Sequence, residues 1–257
     1  MNKFHPGESY WRRKMNANSQ LPKYFEAISI FTVLLSLLFI AEPAVTHERE
    51  VEREEICKWF SKISDRSFRL DVEGDPHIVF GKDWLYYACH HGSCCQIEIV
   101  DCNGYLSSVA LDAAKSPRIS YYDDRKRELR FAYPNGSGWD IEIVDNSGNV
   151  GKFPSLALSA DGTPHICYFD VTNRDLKYAY RDEFGWNVDT IDIAVSIDWY
   201  PVLSIDESGF AHVSYTGFND RPCIKHAYQD TSGWNVEILG ILDEIDVNSP
   251  VLALDTK

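Results

Sequence analysis

Basic residues are scarce in this 257-residue sequence: 25 Lys and Arg stand against 39 Asp and Glu, a formal net charge of −14. Lys3, Arg12, Arg13, Lys14 and Lys23 against Glu8 alone give residues 1–23 a charge of +4, which leaves −18 for the rest. So acidic a body repels a phosphate backbone and excludes nucleic acid as a partner. An apolar 3.6-residue period is also missing from that body, which excludes helical repeats. No D-x-D-x-D-G loop offers calcium a site, and no motif assigns a cofactor or a metal. What is present is a folding composition: 44% hydrophobic and 13% aromatic, with 15 Gly and 11 Pro. Its Tyr, Trp and Ile favour strands, and the Gly and Pro favour turns.

Long hydrophobic runs are nearly absent too, apart from "AISIFTVLLSLLFIA", Ala27 to Ala41. Fifteen residues match the core of a secretory signal and are short for a membrane span; 24–45 reaches spanning length but takes in Glu26 and Glu42. The basic segment 1–23 is expected on the cytoplasmic side, with 24–45 as a signal anchor or signal peptide and the remainder outside. The protein is thus expected to be membrane-anchored with its body exported, or secreted. Residues 46–66 alternate Glu and Arg and read as a solvated stalk.

From residue 67 to 257 the chain repeats itself. "VALDAAKSPRISYYDDRKRELRFAYPNGSGWDIEIVD" from Val109 returns as "LALSADGTPHICYFDVTNRDLKYAYRDEFGWNVDTID" from Leu156. It returns again as "LSIDESGFAHVSYTGFNDRPCIKHAYQDTSGWNVEILG" from Leu203, and a degraded copy starts at Phe68. Each unit holds four short strand signals with period-two alternation: Leu176, Tyr178 and Tyr180 share one face, Lys177 and Ala179 the other. Four strands in 40 to 50 residues describe a propeller blade. The expected fold is all-β: a β-propeller of four recognisable four-stranded blades behind an N-terminal hydrophobic helix. "PVLALD", Pro250 to Asp255, is read as the first strand of a fifth blade. Such a strand must pair with something, which predicts an incomplete ring and self-association to complete it.

The motifs "SLALSADGTPHICYFD" and "LKYAY…GW" resemble repeats of secreted or surface-attached prokaryotic propeller proteins, loosely termed sialidase-like. The resemblance covers roughly Phe68 to Asp255 and implies a propeller in an exported setting, with no defined activity. The Ser-x-Asp-x-Gly-x-x-Trp box of sialidases is absent as such, and no arginine triad can be assigned.

"ACHHGSCC", Ala88 to Cys95, invites a metal reading, yet its ligands all lie on one hairpin, unlike the paired spacing of zinc sites. Cys89 and Cys95 stand where other units carry Tyr133 and Trp139, flanking a tight turn. A Cys89–Cys95 disulfide is the preferred reading, with Cys94 a rival partner and no metal assigned. Recurrent Asp71, Asp112 and Asp206, with His77, His165 and His212, are read as hairpin-fixing residues. A ligand site is sought where blades differ: Asp123, Asp170, Arg174, Trp199, Tyr200, Phe218 and Asp220. Exposed aromatics beside carboxylates suit a sugar, although Trp199 and Tyr200 can instead pack between blades. With no convergent catalytic set, the expected function is an exported binding or scaffold module for a glycan or protein. The alternatives are a glycoside hydrolase or lyase using carboxylates such as Asp123, Asp170 and Asp220, or a structural fragment of a larger propeller.

Overall fold

The computed structural model describes residues 66–81, 83–91, 94–193, 200–241 and 252–255. The chain divides into two units, Met1–Arg53 and Glu54–Lys257, and the described residues all belong to the second. The apolar run, Trp199 and most of the charged stalk lie outside them. Among the described residues there is no helix, and none long and apolar enough to cross a membrane.

Each repeat folds as one four-stranded antiparallel sheet with its strands in sequence order. Blade 1 comprises β1 (Phe68–Leu70), β2 (Pro76–Gly81), β3 (Leu85–His91) and β4 (Cys94–Asp101). Blade 2 comprises β5 (Tyr105–Leu111), β6 (Pro117–Asp123), β7 (Glu128–Pro134) and β8 (Trp139–Asp145). Blade 3 comprises β9 (Val150–Leu158), β10 (Pro164–Asp170), β11 (Asp175–Asp182) and β12 (Gly185–Asp192). Blade 4 comprises β13 (Val202–Ile205), β14 (Ala211–Asn219), β15 (Arg221–Asp230) and β16 (Gly233–Ile241). Residues 252–255, expected to open a fifth blade, belong to none of these sheets. A single strand without a hydrogen-bonded neighbour has no ladder to hold it extended.

The first turn of each blade is closed by a side chain. Asp71 accepts from the amides of Glu73 (2.9 Å) and Asp75 (2.8 Å), Asp112 from Ala114 and Ser116, and Asp206 from Ser208 and Phe210. These Asx turns account for the recurrence of aspartate at that position.

Alternation along the strands sends successive side chains to opposite neighbours. Leu176 and Tyr178 enter a core shared with Val213 and Tyr215 of blade 4, while Ala179 enters one shared with Leu129 and Phe131 of blade 2. A third core joins blades 1 and 2 through Val79, Leu85, Ile119 and Tyr121. Among the described residues no such core joins blade 4 to blade 1.

Two polar devices recur at the three junctions. In the first, a buried tyrosine of one blade donates to the aspartate ending the previous blade: Tyr121 to Asp101 (2.6 Å), Tyr168 to Asp145 (2.6 Å) and Tyr215 to Asp192 (2.7 Å). A cation from the third strand joins each: Arg130 at 2.8 Å, Lys177 at 3.5 Å and Lys225 at 2.8 Å. In the second, a tryptophan opening the outer strand lies edge-on against the previous blade: Trp139 on Tyr87, Trp186 on Phe131 and Trp234 on Tyr178. The indole N–H of Trp139 donates to Glu98 (3.0 Å) and that of Trp186 to Glu142 (2.8 Å). That of Trp234 is buried without a partner.

The register explains the exception. Asp189 faces Tyr178 as Glu98 faces Tyr87 and Glu142 faces Phe131, but it is one methylene shorter. Asp189→Glu is expected to restore the bond and raise stability by about 1 kcal/mol. Urea unfolding of the variant beside the parent checks this, and an unchanged or lower midpoint would refute the explanation.

Both devices stop at the outer faces of blades 1 and 4. Phe80 and Tyr86 form a stacked pair where the clasp has its tyrosine and cation, and Gly240 stands where it has its aspartate. Leu239, equivalent to Val100, Val144 and Ile191, is 61% exposed while those are 5–8% exposed. A closer tie links the starts of the two inner strands: Arg66 donates to the Pro201 carbonyl (3.0 Å) and its guanidinium lies 4.2 Å above the Tyr200 ring.

Candidate functional site

The ends of the four inner strands β1, β5, β9 and β13 line one open cavity of about 400 Å³. Its wall is a ring built twice over by the repeat. Leu70, Leu111, Leu158 and Ile205 occupy one equivalent position, and Arg69, Ala110, Ala157 and Ser204 the position before it. Three blades therefore place a small side chain beside the axis and one places a guanidinium. Arg69 donates to the Phe68 carbonyl (2.7 Å). The volume falls within the range of small-ligand pockets.

Carboxylates rim the mouth, because the turn aspartates directly follow the ring. Asp71 lies near Lys115 (3.3 Å), Asp112 binds Arg118 (2.8 Å) and Asp206 lies 3.5 Å from His212. Asp161, in blade 3, is held down at about 2 by its bonds from Ser159 and Thr163. The histidines next to this rim are turned into the sheets. His77 meets the Tyr87 hydroxyl at 2.5 Å and His165 that of Tyr178 at 2.6 Å, while His212 stacks on His226. Burial lowers the pKa of His77 and His165, which favours their neutral forms.

Among the described residues, none of those sought from sequence lines this cavity. Asp123 is fully buried, accepts from the amides of Arg125 (3.0 Å) and Lys126 (2.9 Å), and lies 3.3 Å from Arg130. Asp170 is buried likewise, bonded to Asn173 through backbone and side chain and paired with Lys177 at 3.1 Å. These two are turn and clasp residues, buried in this structure. Arg174 and Asp220 are exposed at left-handed loop positions (φ 63° and 60°), and Phe218 is 54% exposed. Tyr200 is half-buried, packed edge-on against Phe153 (4.4 Å) beneath Arg66, which is the packing alternative. Arg69 was missed, although aligning the repeats exposes it as the one cation among small residues.

The cysteine reading also changes. Cys89 is a free thiol that faces Gln96, while Cys95 faces His90. The ladder therefore does not set Cys95 opposite Cys89, and no disulfide is formed by Cys89. An equal hairpin length conceals the single register step between them; Tyr133 likewise faces Asp140, not Trp139.

No protein-family model and no curated protein matches the chain. Solved structures do. A variant of AofleA from Arthrobotrys oligospora is 12% identical, with 67% of this chain and 56% of that one covered and a TM-score of 0.50. An ulvan lyase of a polysaccharide lyase family follows at 10%, 66% and 56%, and 0.47. A fucose lectin from Kordia zhangzhouensis stands at 17%, 51% and 96%, and 0.36. The fold is a β-propeller. Such identities establish fold alone, and the matched region spans little more than half the length of the first two proteins.

Proposed function

We propose that the chain is an exported binding module that takes a glycan in the axial cavity of its propeller. The observation that carries this reading is the ring in which Arg69 replaces the small residue supplied by Ala110, Ala157 and Ser204. Leucine and isoleucine walls suit the C–H face of a sugar ring, and the guanidinium donates to its hydroxyl or carboxylate oxygens. Export is supported by the basic segment ahead of the apolar run Ala27–Ala41. The hydrolase alternative loses two of its three carboxylates, Asp123 and Asp170, to buried turns.

A glycan array probed with the full chain, followed by titration of the best hit, tests the proposal. Micromolar binding is expected, and Ser204→Leu, which fills the ring, should weaken it at least tenfold, as should Arg69→Ala. Binding indifferent to Ser204→Leu would move the site elsewhere. A blank array beside a captured protein partner would overturn the glycan reading.

A further inference from the structure

Blade 2 carries an asparagine where blades 3 and 4 use aspartate. The hairpin between β7 and β8 turns through Asn135, Gly136, Ser137 and Gly138, and Asp182 and Asp230 hold the place of Asn135 in the later blades. All three close the turn alike. Asn135 Oδ1 accepts from the Ser137 amide (3.0 Å), Asp182 from that of Phe184 (2.8 Å) and Asp230 from that of Ser232 (2.7 Å). A second bond crosses to the residue after the tryptophan. Asn187 donates to Asp182 (2.7 Å) and Asn235 to Asp230 (2.8 Å), whereas Asn135 donates to Asp140 (2.7 Å). Amide and carboxylate have changed places in blade 2, and the bond between them is kept. The exchange leaves the turn as it was but puts an amide nitrogen at its tip, with a hydroxyl two residues on.

Asn135-Gly136-Ser137 is thereby the only Asn-x-Ser or Asn-x-Thr triplet in the 257 residues, and its middle residue is not proline. We propose that Asn135 is an acceptor for N-linked glycosylation, an inference that rests on the export reading above. The transfer joins Asn135 Nδ2 to the anomeric carbon of an oligosaccharide carried on a lipid pyrophosphate. The bond from that carbon to the phosphate oxygen breaks, the lipid pyrophosphate leaves with the electron pair, and Nδ2 gives up one proton.

The geometry suits the product. Residues 135–138 are all exposed, and a carbon added at Gly136 or Gly138 would meet nothing within 4 Å. Nδ2 has two hydrogens, of which the bond to Asp140 takes one, so the other can be exchanged for a sugar without opening the hairpin. The Ser137 hydroxyl donates to Asn135 Oδ1 (3.0 Å), so the two side chains that define the triplet already face each other. Strand direction alternates within the blade, which puts this hairpin at the same end as the turn aspartates that rim the cavity, two strands farther out. At roughly 4.8 Å per strand, a glycan there stands beside the mouth and not in it.

The test is peptide mass spectrometry of the full chain made in a eukaryotic secretory host, once with its own N-terminus and once behind an added cleavable leader. Both forms are expected to carry one oligosaccharide, on Asn135, which an amidase removes with conversion of the asparagine to aspartate. Ser137→Ala should abolish it and Ser137→Thr should retain it. The double exchange of Asn135→Asp with Asp140→Asn guards against misfolding, since it restores the pair used by blades 3 and 4; it should be secreted at the level of the parent and lack the oligosaccharide. A leader form that carries the oligosaccharide, beside an own-N-terminus form left bare in the cytosol, would overturn export while supporting the site. A leader form secreted bare, or an oligosaccharide that survives Ser137→Ala, would overturn the site itself.

Discussion

Replacing Asp145 by alanine is expected to cost about 3–5 kcal/mol, as when one partner of a buried ion pair is removed. The carboxylate is 7% exposed, receives the Tyr168 hydroxyl at 2.6 Å and the Ser147 amide at 2.9 Å, and lies 3.5 Å from Lys177. Its loss strands a phenol that is itself fully buried and half-neutralises a lysine left with Asp170 alone. Tyr168→Phe, which leaves the ion pair in place, should cost less. The same clasp gives a pH signature. Burial by itself would raise the Asp145 carboxyl, but the bonds from Tyr168 and Ser147, with Lys177, outweigh it and hold the group below its usual 3.8. Asp101 is lowered in the same way by Tyr121, the Cys102 amide and Arg130. A depressed native pKa adds stability that is complete above the unfolded value and is lost as pH falls through the native one. Urea midpoints for parent and Asp145→Ala should therefore differ most at neutral pH and converge below pH 3.8. A gap that stays constant into acid would show that the ionised carboxylate is not what joins blades 2 and 3.

Strand content was legible because each blade writes its alternation into sequence: Leu176, Tyr178 and Tyr180 against Lys177 and Ala179. What stacks on what was not. The recurring Tyr121, Tyr168 and Tyr215 have their partners on the preceding blade, at positions that no single repeat contains. Asp123 and Asp170 looked like loop carboxylates for a different reason: the Arg130 and Lys177 paired with them belong to the same repeat but sit on the facing strand, which only the register brings opposite. Register was the other hidden quantity. A six-residue spacing between Cys89 and Cys95 fixes the length of the hairpin but not which residues face, and the ladder sets Gln96, one step on, opposite Cys89. Arg69 could have been found, because a repeat is its own alignment and an arginine against Ala110, Ala157 and Ser204 is a departure to explain.

Gly151→Ala is expected to be a heavily damaging single methyl, costing about 2–6 kcal/mol. Two independent terms add. Gly151 has a φ of 95°, where a side chain costs about 1–3 kcal/mol. Its added carbon would also stand 2.7 Å from the Leu129 Cα and 2.9 Å from the Leu129 backbone nitrogen, and overpacking of this kind costs about 1–3 kcal/mol more. Leu129 cannot retreat, for it is fully buried and its strand is paired on both sides. A close approach recurs one blade earlier, where Gly104 meets the Leu85 side chain as the chain crosses from one sheet into the next. Gly136→Ala supplies the comparison, since its φ of 86° carries the conformational cost while no atom lies within 4 Å of the added carbon. The difference between the two variants in urea unfolding isolates the contact, and Gly151→Ala should lose at least twice as much. Equal losses would mean that the crossing from blade 2 to blade 3 has room for a side chain, and that glycine is there for its backbone alone.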